Sequence, residues 1–460
     1  MKKIITGTLI LGACSSFLAA QNNFPNVIFI LADDLGYSDI EPYGQEKIKT
    51  PNLTAMTRNG MQFMQFYAGT SVSAPSRASL MTGLHTGHTR IRGNFEHIPE
   101  GQEPVGNLQT LADLFHQAGY VTGCFGKWGL GYPNSGSEAT DKGFDEFYGY
   151  NCQRKAHTYY PQWLYDGKTK VLLNGKSYSQ DLIHQKALDF IRKNKDRSFF
   201  GYFTYTLPHA GLEQPNDSIL KMYSGKYPEP KAFKGYGDYA DTPEPRAQFA
   251  GMVTRLDTYV GQIRNELEKL GIAENTLIIF TSDNGPHLEG GADPAFFACD
   301  KTLRGTKRSL YEGGMRVPMI AEWKGTIKPG TISELPAAFW DMMPTFADIT
   351  GQQKSWIQTT DGISFLPELK GTGTQTKHKY LYWEFHEENG RQALRQGDWK
   401  LIRQNIRSGN PTLELYNLKS DPFEKNNLAA SKSNRVNSMK KLLDKARTHS
   451  ELFNFGINEE

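Results

Sequence analysis

Two pairs of oxygen-bearing side chains stand where apolar runs of the sequence end. Asp33 and Asp34 follow one run, and Asp283 and Asn284 follow another. Three carboxylates and an amide oxygen are the hard ligands that Ca²⁺ or Mg²⁺ prefers, and no matching set of His and Cys suits zinc instead. Any one of these residues alone is more often an ordinary loop former. Because both pairs fall at strand ends, the sequence predicts a metal site.

A second group with chemical potential is the segment 73–83, which begins with Ser73 and carries Pro75 and Arg77. Pro75 fits the first turn of a helix. Ser73 is therefore expected at a helix start, where backbone N–H groups and the helix dipole favour an anion. Arg77, one turn further on, could ion-pair with a group at Ser73. Taken as local structure alone, Ser-x-Pro-Ser is simply a good helix cap.

The elements that must position these residues are short and apolar. The runs at 27–32, 120–125, 199–205 and 276–281 lead into Asp33, Lys127, His209 and Asp283, respectively. Uninterrupted apolar strands indicate a parallel or mixed sheet that is covered on both faces, and helical periods between them, such as the one at 252–270, indicate βαβ units. We therefore predict an α/β fold with a large mixed, mostly parallel sheet sandwiched by helices. In such sheets ligands bind beyond the carboxyl ends of the strands.

The sequence pattern changes after residue 372. Short alternating strands fall at 380–385, 392–395, 399–403 and 413–416, separated by turns rich in Gly and Asn. This spacing predicts an antiparallel meander, which a helix at 434–447 follows. We therefore predict a catalytic domain over 24–372 and a smaller C-terminal α+β domain, an antiparallel sheet plus a helix, over 373–460. The stretch 227–245, rich in Pro and Tyr, is predicted to be a surface loop near the active edge.

Residues 1–20 have the features of a signal peptide, two lysines followed by an apolar stretch and small residues. The alternative is a lipobox that ends in Cys14, which would make the protein a lipoprotein. Either reading predicts an exported protein, periplasmic or at the cell surface. Beyond this leader no stretch is long and apolar enough to be a transmembrane segment. The net charge of +3 without long runs of one sign argues against nucleic acid as a partner.

The segment 73–83 resembles the Cys/Ser-x-Pro-Ser-Arg-x-x-x-x-Thr-Gly signature of the formylglycine-dependent type I sulfatases, in the alkaline phosphatase superfamily. Other ordered boxes are similar to those of the same family, at 26–37, 126–128, 282–285, 303–307, 312–318, 397–401 and 415–422. The resemblance covers nearly all of the chain beyond the leader. Any one box is a weak motif, but so many in order do not agree by chance.

This resemblance implies a sulfuric ester hydrolase in which a maturation enzyme oxidises Ser73 to formylglycine. The hydrated aldehyde would attack sulfur with one hydroxyl and expel sulfate with the other. It also implies that one Ca²⁺ polarises the sulfate oxygens. Its ligands would be Asp33, Asp34, Asp283, Asn284 and the modified Ser73.

The family resemblance further implies roles for four side chains around the nucleophile. Arg77 and Lys127 would stabilise the formylglycine, and Lys127 and Lys307 would bind the charge of the sulfate. His209 would protonate the leaving alkoxide. Without the resemblance, His209 would be interpreted as an ordinary surface-loop histidine.

Two residues depart from the family pattern. Gly129 stands where members commonly have the histidine of Gly-Lys-Trp-His-Leu-Gly. Four histidines remain open as replacement donors: His85, His88, His157 and His287. Ser73 stands where many members have Cys, and a serine at this position requires the radical-type maturation system of certain bacteria.

The substrate is predicted to be a sulfated carbohydrate, because aromatic side chains near the expected mouth of the site offer faces to a sugar. They are Tyr159, Tyr160, Trp163 and those of 227–239. The spacing at 151–161, with Arg154 and His157, is similar to that of galactose- or N-acetylgalactosamine-6-sulfatases.

The alternative function keeps the fold but uses unmodified Ser73 as the nucleophile of a phosphoryl-ester hydrolase. The sequence Pro75-Ser76-Arg77, which the maturation enzymes recognise, argues against this alternative.

Overall fold

The computed structural model describes residues 24–456 except 99, 298–302, 354–355 and 357. The signal peptide predicted at 1–20, its Cys14 and the lipobox alternative lie outside the described residues. Within the described part of the chain, no helix has the length and apolar character that a membrane crossing requires.

Strands account for the centre of the molecule and for its C-terminal part. In chain order they are β1 (Asn26–Ala32), β2 (Met61–Phe63), β3 (Phe66–Tyr67), β4 (Glu96–Ile98), β5 (Gly101–Gln102), β6 (Val121–Lys127), β7 (Glu146–Tyr150), β8 (Trp163–Asp166), β9 (Thr169–Leu172), β10 (Phe199–Thr204), β11 (Thr276–Ser282), β12 (Met319–Trp323), β13 (Thr331–Ser333), β14 (Ala337–Ala338), β15 (Leu381–Phe385), β16 (Arg391–Gln396), β17 (Trp399–Gln404) and β18 (Thr412–Asn417).

Helices cover the strands. They are α1 (Pro51–Asn59), α2 (Ser73–Thr82), α3 (Leu111–Gln117), α4 (Ser179–Lys193), α5 (Ser218–Lys221), α6 (Pro245–Lys269), α7 (Pro294–Phe297), α8 (Glu312–Met315), α9 (Met342–Ile349), α10 (Leu366–Lys370) and α11 (Ser433–Lys445).

Ten strands form one large mixed sheet in the order β13-β2-β12-β11-β1-β10-β6-β7-β8-β9. Its five central strands, from β11 to β7, are parallel. Both flanks add antiparallel pairs, β11 with β12 on one side and β7 with β8 on the other. The predicted α/β class is confirmed, because the carboxyl ends of the parallel strands meet at one edge of a sheet that helices cover on both faces.

The position of β1 between two cores explains why its sequence is a continuous apolar run. Val27, Phe29 and Leu31 point into a core that includes residues of α2, α3 and α9. Ile28 and Ile30 point into a second core that includes residues of α1, α4 and α6. Because side chains alternate between the faces of a strand, a strand covered on both sides must be apolar at every position.

The C-terminal part is a four-stranded antiparallel sheet, β15 to β18, as the meander pattern predicts. One face packs against α11 through Met439 and Leu443. The opposite face packs against the rest of the molecule through Trp383, which lies in one core with Tyr67 and Trp340. The Trp383 indole also donates a hydrogen bond to the carbonyl of Ala68, at 3.0 Å.

A buried ion cluster joins this sheet to α8. The Lys400 ammonium lies 3.0 Å from a carboxylate oxygen of Glu312 and 3.0 Å from one of Glu424. Burial alone would raise the pKa of Glu312, but the charges of Lys400 and the nearby arginines together outweigh burial and hold this pKa at about 2. Burial raises the pKa of Glu424 to about 7. The two parts of the chain are therefore connected by charge as well as by apolar packing.

Candidate active site

The parallel strands bring the predicted site residues to one edge of the sheet. Asp33 and Asp34 follow β1, Lys127 ends β6, and Asp283 follows β11. His209 lies in the loop that follows β10. Neighbouring parallel strands end side by side, so residues far apart in the sequence meet here.

Asp34, Asp283 and Asn284 form the centre of the site. The Asp34 backbone, at a φ of 63°, donates its N–H to Asp283 Oδ1 at 3.0 Å. The Asn284 amide donates to Asp34 Oδ1 at 2.6 Å, which leaves its own carbonyl oxygen directed elsewhere in the site. All three side chains are fully buried. A buried carboxylate is costly unless it is paired or binds a cation.

Ser73 lies directly beside these oxygens, at the first residue of α2. Its hydroxyl donates to Asp33 Oδ1 at 3.0 Å and lies 3.5 Å from Asn284 Oδ1. The alternative interpretation of Ser73 as a helix cap is wrong, because Val72 is the N-cap and no side-chain cap bond forms there. Asn94 instead accepts the N–H of Ala74 at 2.9 Å. The Ser73 hydroxyl is thus left to the site.

Arg77 is fully buried one turn along α2 and binds carboxylates. Its Nε donates to Asp283 Oδ2 at 3.0 Å, and its terminal nitrogen lies 2.9 Å from Asp283 and 3.6 Å from Asp33. The guanidinium therefore holds close together two carboxylates that follow different strands. Arg77 therefore supports the carboxylates around Ser73, whereas the sequence suggested that it could pair with a group at Ser73 itself.

Two lysines and a histidine complete the site. Lys127 Nζ donates to Asp33 Oδ2 at 2.5 Å, and Lys307 Nζ donates to Asp34 Oδ2 at 2.8 Å. His209 Nε2 lies 3.1 Å from Lys307 Nζ and 3.3 Å from Asp34 Oδ2. The structure therefore brings together every residue that the sequence placed in the site.

Burial and neighbouring charges shift the pKa values of the site residues in different directions. Burial alone would raise the pKa of Asp33, but Lys127 and the other nearby cations hold this pKa well below its usual range. Burial, together with the charge of Asp33, raises the pKa of Asp283 to about 7. Burial and the charge of Lys307 hold the pKa of His209 well below its usual range. The carboxylates of Asp33 and Asp283 are therefore close enough to repel each other.

A cavity of about 350 Å³ opens above Ser73, Lys127, His209 and Lys307. Part of its wall is the segment 236–239, within the stretch that the sequence predicts to be a substrate loop. The loop prediction holds up to Glu244, after which α6 begins at Pro245.

The predicted aromatic platform is only partly correct. Tyr159 is fully buried, and its hydroxyl donates to the carbonyls of Thr206 and His209, so it cannot face a sugar. Trp163 lies on β8 beneath the ammonium of Lys170, 4.4 Å from the ring centroid. The tyrosines that do line the cavity are Tyr236 and Tyr239.

The structure distinguishes among the histidines left open for Gly129. His85 and His88 stack on each other, with ring centroids 4.3 Å apart, and neither lines the cavity described above. The ring centroid of His287 lies 5.6 Å from that of His209, and His287 does not line this cavity. His157 lines the cavity and stacks on His209, with centroids 4.4 Å apart and planes 11° apart.

Gly129 itself faces a glutamine. Its φ is 69°, and a Cβ at this position would lie 2.1 Å from the amide nitrogen of Gln153. Gln153 is buried and lines the cavity. The space beside residue 129 is therefore filled by an amide from the 151–161 segment, and a side chain on Gly129 fits only if Gln153 moves.

Sequence reasoning missed several residues of the cavity wall. They are Asn94, Glu96, Gln102, Gln153, Asp238 and Arg308. Gln153 and Asp238 lie within the stretches 151–161 and 227–245 that the sequence analysis describes, but neither residue was named there, and the other four lie outside the motifs it singled out. Nothing in their local sequence distinguishes them from ordinary surface residues.

The comparisons with known proteins agree with this geometry. Residues 25–352 match the family described as Sulfatase, and residues 305–449 match the family described as N-sulphoglucosamine sulphohydrolase, C-terminal. The chain is 30% identical to N-acetylgalactosamine-6-sulfatase of Canis lupus familiaris, over 82% of this chain and 71% of the relative. It is 28% identical to N-acetylgalactosamine-6-O-sulfatase of Bacteroides thetaiotaomicron, over 97% and 98%.

One solved structure has a similar fold and a related sequence. The crystal structure of Ps i-CgsB in complex with k-i-k-neocarrahexaose superposes with a TM-score of 0.78 at 29% identity, over 92% of each chain. The chain belongs to the sulfatase family, since the family match covers most of its length. It is a sulfuric ester hydrolase.

The first prediction concerns Gly129. Gly129→Ala should lower both stability and sulfatase activity, because the new Cβ strikes Gln153 and the left-handed backbone costs roughly 1–2 kcal/mol more with a side chain. Gly397→Ala is the matched control, since Gly397 has a φ of 59° with nothing within 4 Å of an added Cβ. Thermal unfolding and kcat/KM on an aryl sulfate measure both effects.

The double variant Gly129→Ala with Gln153→Ala should recover the part of the loss that exceeds the Gly397→Ala control. Equal losses in Gly129→Ala and Gly397→Ala would contradict the steric coupling.

Proposed function

We propose that this protein hydrolyses O-sulfate esters on glycans through a formylglycine made from Ser73 and with one Ca²⁺. The observation that carries the proposal is the position of the Ser73 hydroxyl, 3.0 Å from a carboxylate of the buried acidic centre and open to the cavity. Parallel assays on an aryl sulfate and an aryl phosphate test it against the phosphoryl-ester alternative. We expect turnover of the sulfate at a far higher rate.

The donor set fits calcium. Asp33, Asp34 and Asp283 supply buried carboxylates and Asn284 supplies an amide oxygen, and hard oxygen donors of this kind suit Ca²⁺ better than a softer metal. The raised pKa of Asp283 reflects burial and the nearby charge of Asp33, and a cation would offset both. Bound there, calcium would act as a Lewis acid on the sulfate oxygens.

The formylglycine would supply a hydrated aldehyde whose two hydroxyls serve attack on sulfur and release of sulfate in turn. The residues around it would fix its position. Asp33 accepts the hydrogen bond of residue 73, and Arg77 anchors Asp283 behind it. Lys127 and Lys307 border the cavity floor, where their charge would bind the anionic ester and stabilise charge that develops in the transition state.

His209 is the proposed general acid for the sugar oxygen. Its ring lines the cavity, and its pKa is lowered by burial and by Lys307. A bound sulfate ester would place an anion next to the ring and favour the protonated form. A strongly acidic imidazolium is well suited to protonate an alkoxide as it leaves.

Three further proposals follow the same reasoning. The names of the curated relatives support a galactose or N-acetylgalactosamine 6-sulfate as substrate. The leader at 1–20 supports export to the periplasm or cell surface, and the requirement for oxidation of Ser73 supports a maturation enzyme as partner. The domain limits of 24–372 and 373–460 are supported by the start of the antiparallel sheet at Leu381.

The second prediction concerns Ser73. Protein from a host with a serine-competent maturase should yield a peptide in which residue 73 is an aldehyde, lighter than serine by a pair of hydrogens. Protein made without the maturase should lack turnover while remaining folded. The Ser73→Ala variant should behave in the same way, because it loses only one hydroxyl. Peptide mass spectrometry with sulfate release measures both. Full turnover from protein whose Ser73 is entirely unmodified would refute the formylglycine mechanism.

The third prediction concerns calcium. Asp283→Asn should abolish activity and remove the rise in the thermal midpoint that calcium gives, since ligand binding to the native state stabilises it by about 2.7 kcal/mol at a concentration 100 times Kd. Asp398→Asn is the matched control, because Asp398 is exposed in the C-terminal sheet. A full calcium shift in Asp283→Asn would remove this carboxylate from the metal site.

The fourth prediction concerns His209. His209→Ala should reduce kcat on a sugar sulfate by about 10²–10⁴-fold, because an alkoxide leaves poorly without a proton. The reduction should be much smaller on an aryl sulfate, whose phenolate leaves readily. Parallel kinetics on the two substrates provide the test. Equal losses would assign His209 to sulfate binding instead of proton transfer.

A further inference from the structure

We propose that Glu96, Arg154 and Asp238, here called the rim triad, form a subsite for an uncharged sugar and discriminate against glycans with a second anionic group beside the sulfate. This inference rests on the proposed function, and it adds the charge class of the substrate.

The rim triad spans the mouth of the cavity. Arg154 Nε lies 3.3 Å from Glu96 Oε1 and 3.9 Å from Asp238 Oδ2. The side chain of Arg154 is 46% exposed, that of Glu96 is 30% exposed and that of Asp238 is 28% exposed. All three line the same cavity as Ser73. They are therefore accessible to a ligand that enters toward the nucleophile.

The rim triad is tied to the reaction centre through the backbone. Asn94, two residues before Glu96, accepts the N–H of Ala74 next to the nucleophile. The Thr158 hydroxyl donates to the carbonyl of Asp238 at 3.5 Å. A sugar whose sulfate reaches Ser73 would lie in the cavity that the rim triad lines.

The charges around the cavity decide which sugar fits. On the floor, Lys127 and Lys307 are bonded to the carboxylates of Asp33 and Asp34 and face the position of the sulfate.

At the mouth, Arg154 already pairs with two carboxylates, and Arg308 pairs with Glu289. Among the described residues that line the cavity, no rim cation is thus left to neutralise a second anion. The rim triad itself carries one more negative charge than positive. A second anionic group would be repelled there, whereas the sulfate remains bound on the floor.

The same side chains suit an uncharged sugar. An ionised carboxylate has acceptor sites on both oxygens and can receive hydrogen bonds from neighbouring sugar hydroxyls. Tyr236, 63% exposed at the cavity wall, offers an aromatic face beside Asp238 for the apolar side of the ring. Both features bind hydroxyl-rich rings without a charge.

The test uses a matched pair of disaccharides, N-acetylgalactosamine 6-sulfate linked to a terminal uronic acid and the methyl ester of the same compound. The two differ in one charge. We expect kcat/KM for the ester to be about threefold higher at low salt, since the one excess negative charge of the rim triad repels the uronate by about a threefold factor, and salt should reduce the difference.

Variants connect the preference to the rim triad. Glu96→Gln combined with Asp238→Asn should reverse the preference between the two disaccharides, because Arg154 then remains as the one charge of the triad. Asp189→Asn, on the outer surface of α4 and away from the cavity, changes the net charge in the same direction and should leave the ratio as it is.

The outcomes are distinct. Equal kcat/KM for the two disaccharides, or an unchanged ratio in the double variant, would overturn the inference. If neither is hydrolysed, calorimetric titration of Ser73→Ala with each supplies the same comparison, and binding of neither would also overturn it. Turnover of an aryl sulfate in that case leaves the proposed function standing, whereas its absence in matured protein would count against the proposed function itself.

Discussion

The structure depends on burying six charges at one edge of a sheet. Three carboxylates face three cations there: Asp33, Asp34 and Asp283 with Arg77, Lys127 and Lys307. Removing charges from water costs several kcal/mol for each ion unless their geometry pairs them well. These partners come from three strand ends, one helix and one loop. The parallel sheet provides the fixed geometry, and in the proposed calcium form the balance shifts to a net positive charge that suits an anionic ester.

The C-terminal sheet contributes to this geometry from a distance. Glu384, fully buried on β15, lies 3.2 Å from the guanidinium of Arg92. The neighbouring Glu387 accepts the N–H of Asn94 at 3.0 Å. Asn94 in turn holds the first turn of α2, where Ser73 lies. The antiparallel sheet therefore does more than cover an apolar face, because it fixes the segment that orders the start of α2.

Much of this arrangement follows from the sequence because local pattern and chemistry coincide there. Strands β1 and β11 are apolar through their central residues and are followed by acids, so the sequence could predict both their burial and the metal-type residues after them. Other features depend on tertiary contacts that no local pattern encodes. Tyr159 looks like a sugar platform but is covered completely, and Gln153 becomes part of the cavity only because Gly129 leaves room for it. Loop residues at the rim carry no periodic signal at all.

His209, on the floor of the cavity, is oriented by its own loop and by neighbouring rings. Its Nδ1 faces the backbone carbonyl of Ala210, so this nitrogen carries a proton and Nε2 is left to exchange one. His157 stacks on this ring with centroids 4.4 Å apart, and the ring of His287 is nearly parallel to it with centroids 5.6 Å apart. Packing against two rings and the contact with Ala210 favour this orientation of the imidazole. Nε2, which lies beside Lys307 and Asp34, is then the nitrogen available to exchange a proton.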